Sequence, residues 1–283
     1  MATFFNQATL TYNDTVINSN ITTGELQEVL SATKTAVVNT YTQGDDVTYV
    51  INIRNTGTLA YNDLTLNDDL GAYTFGALTL VPLTYVTGSL NYFLNGVPQA
   101  TPSVTPGPPL AITGINIPAG GVATLIYTAQ VNQYAPLAVG STITNTATVS
   151  GGGITPITAT EMITAAEEAN LTVSKSLCPT VVTENGQITY TFVIQNTGNT
   201  AVVATDNATI TDTFDPILSG LAVTFNGTAW TAPANYTYNT ATGQFATNPG
   251  QITVPAATYT QDPATGVYII QPGVSTLTVT GTV

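Results

Sequence analysis

Histidine is absent from this 283-residue chain, and cysteine occurs once, at Cys178. The first absence excludes imidazole acid–base catalysis, Ser–His and Cys–His nucleophiles, and zinc sites that use histidine. A single cysteine excludes an intrachain disulfide framework. The aspartates also lack the spacing of a calcium loop. We therefore expect no metal, no cofactor and no enzyme that acts on an external substrate.

Basic residues are also scarce, since three of them face 16 acidic ones and the net charge is −13. Without a basic patch the chain has nothing to bind a phosphate backbone, so we expect no nucleic-acid partner. No apolar run approaches the about 18–20 residues of a membrane helix, so we expect no membrane insertion. The start, MATFFNQATL, has neither a basic nor a long apolar region, and no secretory signal is expected there.

The residues that are abundant favour strands: Thr, Val, Asn, Ala and Gly dominate, and short apolar runs alternate with turn residues. Two copies of one β-domain follow each other. VTYVINIRNTG (47–57) matches ITYTFVIQNTG (188–198), and VATLIYTAQV (122–131) matches VSTLTVTGTV (274–283). The repeat predicts an all-β chain with domain 1 at 30–157 and domain 2 at 171–283, joined by a linker at 158–170 that is a short helix or an extended connector.

The two copies end differently. Domain 1 continues into the strand TITNTATVS (142–150), whereas domain 2 stops at Val283, the residue equivalent to Val131. A near copy of the missing strand, FNQATLTY, lies at 5–12. A sandwich without one strand leaves an apolar groove and unpaired backbone groups, which an added strand can fill. We therefore predict a donor strand at 1–14, followed by a linker at 15–29.

Strand donation predicts a head-to-tail homopolymer, because such a contact does not usually close on itself. The donor face alternates along the segment and comprises Phe4, Asn6, Ala8, Leu10 and Tyr12. The alternative is a donor strand folded back on its own domain 2. The chain would then be a monomeric surface adhesion or binding module with an unknown ligand.

The motifs of the repeat resemble a known family. Lys34, GDDVTYVINIRNTG (44–57), Asp68 and TNTATV (144–149) are similar to the bacterial surface-protein repeat called domain of unknown function eleven. Domain 2 repeats all but the closing strand. The resemblance implies two tandem immunoglobulin-like β-sandwiches on a cell surface or appendage. Without a visible signal, an endospore surface is one compatible setting for such a fibre.

Both lysines lie at the same position of the repeat. Strand alternation predicts that each lysine side chain points towards the core of its domain. Lys34 shares its face with Leu30 and Ala32, as Lys175 does with Leu171 and Val173. The same parity directs Asp68 and Asp212 inward on the third strand, Asn145 inward on the closing strand, and Asn6 inward on the donor strand.

A buried lysine that loses its proton is a nucleophile, and a neighbouring Asn carboxamide can accept it with release of ammonia. Asp68 and Asp212 would move the proton. This predicts an autocatalytic Lys34–Asn145 amide within domain 1 and a Lys175–Asn6 amide between subunits. The arrangement is similar to the intramolecular isopeptide bonds of Gram-positive pilin domains. The alternative is a buried Lys–Asp ion pair hydrogen-bonded to Asn.

Overall fold

The computed structural model describes residues 2–26 and 28–283, which form an N-terminal β-hairpin and two β-sandwiches in tandem. The prediction of an all-β chain with two β-sandwiches in tandem is confirmed, with one 3-10 turn at Ala204–Asp206 among the described residues. In the same part of the chain, no helix is long and apolar enough to cross a membrane. Met1 and Gln27, which belong to the predicted donor segment and the predicted linker, lie outside the described residues.

The hairpin has two arms, each made of two short strands. Its strands are β1 (Ala2–Asn6), β2 (Thr9–Tyr12), β3 (Thr15–Asn18) and β4 (Thr22–Leu26). β1 pairs antiparallel with β4, and β2 with β3. The turn residues Asn13 and Asp14 both have positive φ angles, 45° and 63°, which a two-residue turn between twisted strands favours and which Asn and Asp tolerate.

This hairpin corrects the predicted linker at 15–29. Residues 15–18 and 22–26 are strands that pair with the predicted donor segment, because the Asn-Asp turn reverses the chain immediately after Tyr12. It also differs from the alternative in which the N-terminal strand folds back on its own domain 2. In this chain the donor segment pairs with its own return arm, and no strand pairing joins residues 2–26 to either sandwich among the described residues.

The first sandwich contains two six-stranded sheets. Its strands are β5 (Leu30–Ala36), β6 (Thr40–Tyr41), β7 (Asp46–Asn55), β8 (Tyr61–Asp68), β9 (Tyr73–Phe75), β10 (Leu78–Leu80), β11 (Leu83–Tyr85), β12 (Asn91–Leu94), β13 (Val97–Pro98), β14 (Ser103–Thr105), β15 (Leu110–Ile117), β16 (Val122–Val131), β17 (Thr142–Ser150) and β18 (Ile157–Ala165). One sheet has the order β13-β12-β16-β7-β5, with β11 also beside β16, and the other β14-β15-β8-β17-β18-β6. Alternate residues of β7, β8, β16 and β17 fill the core between them.

Strand β18 corrects the predicted boundary of domain 1. Residues 157–165 pair antiparallel with β17 and parallel with β6, so the first half of the predicted linker at 158–170 belongs to the sandwich. The Ala- and Glu-rich composition of this segment suggested a short helix or connector. Burial of Ala159 and Ile163 overrides that local preference, because these side chains reach the core only from a strand.

The second sandwich is smaller. Its strands are β19 (Leu171–Cys178), β20 (Gln187–Asn196), β21 (Thr211–Thr213), β22 (Ser219–Phe225), β23 (Thr228–Trp230), β24 (Tyr236–Asn239), β25 (Gln244–Thr247), β26 (Thr258–Gln261), β27 (Tyr268–Gln271) and β28 (Gly273–Thr282). Five strands form one sheet, β19-β20-β28-β22-β23, and three form the opposing sheet, β21-β25-β24. β26 and β27 pair with each other.

The repeat identifies four pairs of corresponding strands. β19, β20, β21 and β28 carry the residues that match β5, β7, β8 and β16. In domain 1, β8 lies between β15 and β17. In domain 2, β21 pairs with β25 on one edge, and its other edge pairs with no strand in the described part of the chain. Among the described residues, no strand of domain 2 therefore occupies the positions of β17 and β18.

The repeated Asn-Thr-Gly motif holds a loop in each sandwich. The Asn55 side chain donates to the carbonyls of Leu59 and Pro118 at 2.7 and 2.9 Å and accepts from Gly57 N–H at 2.9 Å. Asn196 makes the matching bonds to Thr200, Pro255 and Gly198. Both Asn residues are completely buried, so this motif is structural.

The two sandwiches contact each other through Tyr259 and Ile270 of domain 2, which pack against the domain 1 core, and through polar groups. Asn199 Nδ2 donates to the carbonyls of Leu137 and Ala166, at 2.9 and 2.7 Å. Gln261 Nε2 donates to the Tyr73 hydroxyl at 2.8 Å. These bonds connect domain 2 to domain 1.

Candidate functional site

The domain 1 site lies between the two sheets. Lys34 comes from β5 at the edge of one sheet, whereas Asp68 and Asn145 come from adjacent strands of the opposing sheet. Alternation turns all three inward, and all three are buried. The structure thus brings the three predicted residues of domain 1 into one interior cluster.

The cluster is held by short hydrogen bonds to one carboxylate. Lys34 Nζ lies 2.6 Å from Asp68 Oδ2, and the Tyr127 hydroxyl donates to the same oxygen at 2.6 Å. Asn145 Nδ2 donates to the Tyr127 hydroxyl oxygen at 3.4 Å. Asp68 Oδ1 accepts from the Leu70 N–H at 3.0 Å. Tyr127 therefore connects the aspartate that binds the lysine to the carboxamide.

Burial and charge act in opposite directions on the lysine. Removal from water lowers the pKa of Lys34, because desolvation disfavours the ammonium, and the Asp68 carboxylate opposes that shift. Its Nζ also lies 4.8 Å from the centre of the Tyr49 ring. An ammonium with a lowered pKa beside a carboxylate can transfer its proton at low cost, which yields a neutral amine next to a carboxamide.

Two buried polar atoms at this site have no hydrogen-bond partner, the Asn145 carbonyl oxygen Oδ1 and the Tyr49 hydroxyl. Such atoms are rare in folded proteins and often mark chemistry or strain. Burial also raises the pKa of Tyr49, which keeps this hydroxyl protonated and able to donate. The carbonyl that an amine would attack is thus left without a protein donor.

Sequence reasoning missed Tyr127 and Glu161. Alternation along 122–131 places Tyr127 inward, and a buried tyrosine hydroxyl needs a partner, so this signal was available. Glu161 lies directly across from Asn145 on β18, and its charge adds to that of Asp68 in favouring the Lys34 ammonium. A linker at 158–170 gives no reason to place Glu161 at this site, so the sequence pattern does not indicate it.

The domain 2 site has the same lysine and aspartate but is open. Lys175 is ion-paired with Asp212, and its Nζ lies 4.4 Å from the centre of the Tyr190 ring. The Lys175 side chain is 39% exposed, whereas that of Lys34 is fully buried. Val279 occupies the repeat position of Tyr127, so this site has no equivalent tyrosine hydroxyl.

The apolar face of β19 is exposed as well. Val173 is 63% exposed and Leu171 43%, although their counterparts Ala32 and Leu30 pack against the domain 1 core. Asn6, the predicted partner of Lys175, lies on β1 in the N-terminal hairpin and is exposed. The structure therefore brings Lys175 and Asp212 together and leaves Asn6 apart from them within one chain.

No protein-family model and no curated protein matches this chain, so the resemblance to domain of unknown function eleven stays a hypothesis. Among solved structures, the chain is similar to BcpA, the major pilin subunit of Bacillus cereus, with 11% identity over 95% of this chain and 73% of that one (TM-score 0.35). It is similar to the pilus backbone RrgB from Streptococcus pneumoniae, with 12% identity over 86% of this chain and 55% of that one (TM-score 0.35).

A third similar structure is the collagen-binding domain from a Staphylococcus aureus adhesin, with 12% identity over 50% of this chain and 99% of that one (TM-score 0.31). Since the alignment with RrgB covers 55% of the RrgB chain, the present chain spans about half the length of that protein.

Proposed function

We propose that this protein is the structural subunit of a surface fibre, in which the N-terminal segment of one copy completes domain 2 of the next. The observation that carries the proposal is the edge of β21 that pairs with no strand among the described residues, beside an exposed lysine. The same chain carries, at residues 5–12, a near copy of the closing strand of domain 1. Because the donor and acceptor surfaces differ, each added copy leaves a new acceptor, and the contact propagates into a fibre.

The register of the donor follows from domain 1. There Ala147 lies opposite Asp68, with Asn145 two residues earlier on the same face. The matching alignment places Ala8 opposite Asp212 and directs Asn6 towards Lys175. Phe4, Leu10 and Tyr12, all exposed in the single chain, then face the domain 2 core.

Each complete site then forms an amide. The lysine ammonium gives a proton to the aspartate, and the neutral amine attacks the carboxamide carbon of Asn145, or of Asn6 in the joint. A new carbon–nitrogen bond forms and the bond to the original amide nitrogen breaks. The aspartate gives its proton to the departing nitrogen, which leaves as ammonia, and takes the second proton that the attacking nitrogen loses as the amide forms. No cofactor or oxidant is consumed. The Lys34–Asn145 bond closes domain 1, and the Lys175–Asn6 bond makes the joint between subunits permanent.

The test is a ladder of covalent multimers that survives boiling in detergent and reducing agent. Asn6→Ala and Lys175→Ala should each reduce the ladder to single subunits while non-covalent fibres remain visible by electron microscopy. Deleting residues 1–26 should remove both the ladder and the fibres. Asn20→Ala, in the same hairpin but away from the donor face, is the matched control and should leave the ladder unchanged. Polymers from the deletion variant would refute the proposal.

A further inference from the structure

The donor element has two arms, and among the described residues no strand of domain 2 occupies the positions of β17 and β18. Resting on the head-to-tail assembly above, we propose that the whole hairpin Ala2–Leu26 of a second copy docks in domain 2, with β1 and β2 in the place of β17 and the return arm β3–β4 in the place of β18. The hairpin is the unit that is transferred, and it stays paired throughout.

The cross-strand pairs of the hairpin match those of β17 and β18. In domain 1, Asn145 lies opposite Glu161, and Val149 lies opposite Ile157. In the hairpin, Asn6 lies opposite Thr22, and Leu10 lies opposite Ile17. The inward carboxamide and the inward aliphatic residue therefore recur with the same spacing along the first arm. The return arm has one residue more between Ile17 and Thr22 than β18 has between Ile157 and Glu161.

A third pair occupies the equivalent position, although its residues differ. Ile143 and Ile163 face each other in the domain 1 core. The equivalent hairpin pair is Phe4 and Gly24, in which the phenyl ring lies over the glycine. A Cβ added at Gly24 would lie 2.3 Å from Phe4 Cζ, so only glycine fits beneath the ring. An aromatic ring packed on a glycine thus lies at the position where two isoleucines face each other in domain 1.

The acceptor is open at the position of the second arm as well as the first. In domain 1, β18 lies beside β17 and packs against β5, and it pairs with Thr40 and Tyr41 of β6. The domain 2 counterparts of β5 and Thr40 are β19 and Val181. The apolar face of β19 is exposed, and Val181 is 85% exposed. A single donor strand beside β21 would leave these surfaces in water, whereas a hairpin covers them.

The free hairpin itself exposes an unusual amount of apolar surface. Phe4 is 59% exposed, Leu10 63% and Ile17 54%, and the last of these lies on the return arm. An isolated two-stranded ribbon is marginally stable in water and needs a surface to pack on. The face that carries these residues is the one that faces inward in the docked position, so a second copy of the chain supplies the missing surface.

A disulfide across the hairpin tests whether both arms move together. Phe5 and Thr23 lie opposite each other on the outward face, at a spacing that a disulfide can bridge. F5C and T23C are introduced together with C178S, so that no other thiol remains. The oxidised, stapled protein should polymerise at the same rate and to the same extent as the reduced protein, measured by sedimentation and electron microscopy.

The outcomes separate this inference from the assembly on which it rests. Polymers from the reduced protein with none from the stapled protein would show that the arms must part, which overturns the hairpin inference and leaves single-strand donation intact. Failure of the unsubstituted chain to polymerise would overturn both.

A substitution on the return arm gives an independent test. Gly24→Val places a side chain where the Phe4 ring lies, and polymer should be lost because the Phe4–Gly24 pair no longer fits the domain 2 core. Thr23→Val, its neighbour on the opposite face, adds a similar side chain and should polymerise normally. If only one strand inserts, the return arm stays in solvent, and Gly24→Val would polymerise as well as the unsubstituted chain. That result would overturn the inference.

Discussion

Tyr127 donates a hydrogen bond to the Asp68 carboxylate at 2.6 Å, on the same oxygen that binds the Lys34 ammonium. The tyrosine oxygen also accepts from the Asn145 carboxamide. One hydroxyl thus positions both the group that takes the proton of the lysine and the group that the lysine would attack. Removing the Tyr127 hydroxyl while keeping the ring should therefore distinguish its role in positioning these two groups from the role of the ring in core packing.

Tyr127→Phe keeps the ring and its stacking on Tyr49 but loses the hydroxyl. We expect domain 1 to fold and the Lys34–Asn145 amide to form more slowly, because Asn145 is no longer held beside Asp68. Mass spectrometry at successive times after refolding measures the rate. Tyr41→Phe is the matched control, since its hydroxyl is bonded to the Pro136 carbonyl outside the cluster. Equal rates in the two variants would contradict a positioning role.

The amide in domain 1 makes a prediction about the intact mass. The isolated chain with Lys175→Ala should be lighter than its encoded sequence by one ammonia, from the Lys34–Asn145 bond. Asp68→Ala should restore the full mass, because the ammonium then has no base and the proton cannot reach the leaving amine. A peptide digest should show Lys34 joined to Asn145. An unmodified mass in the parent chain would reduce the cluster to an ion pair.

The inward positions of Lys34, Asp68 and Asn145 could be predicted because alternation along a strand needs no knowledge of the partner strand. The hairpin and β18 were missed for different reasons. The Asn13-Asp14 turn is a sequence signal for a hairpin. The likeness of residues 5–12 to the closing strand, by contrast, predicts only a single strand. For β18, helix-compatible composition hid a segment whose strand form depends on the core contacts of Ile163 and on pairing with β6.

The Asn-Thr-Gly loops predict a local loss of stability. Asn196→Asp keeps an acceptor for the Gly198 N–H but loses both donated bonds, to Thr200 and Pro255. The two carbonyls then have no buried donor, and the new carboxylate buries a charge. The free energy of unfolding of domain 2 should therefore fall by about 1–3 kcal/mol or more. Calorimetry should show a lower unfolding temperature for domain 2 and an unchanged one for domain 1. Asn55→Asp should act on domain 1 instead, and an identical effect of both variants on one transition would contradict this assignment.

Buried tyrosines predict a loss of stability in alkali. Burial raises the pKa of Tyr73 to about 12 and raises those of Tyr41, Tyr49 and Tyr127 further above the ordinary value of about 10. At a pH between the ordinary pKa of about 10 and the raised pKa values of the folded chain, the unfolded chain loses phenolic protons that the folded chain keeps. The free energy of unfolding therefore falls as pH rises through this window. The denaturant midpoint should be constant below about pH 10 and fall above it. A midpoint that stays constant through this window would contradict the burial of these hydroxyls.

The contrast between the two lysines predicts selective labelling. The chain has two lysines, and the side chain of Lys34 is fully buried whereas that of Lys175 is 39% exposed. In protein lacking residues 1–26, which has no donor, an amine-reactive reagent should modify Lys175 and leave Lys34 unmodified under native conditions. Within assembled fibres of Asn6→Ala subunits, which cannot form the amide, Lys175 should be protected because the donor covers it. Peptide mass mapping distinguishes the two sites. Labelling of Lys175 to the same extent in fibres and in single subunits would mean that the contact between subunits lies elsewhere on the molecule.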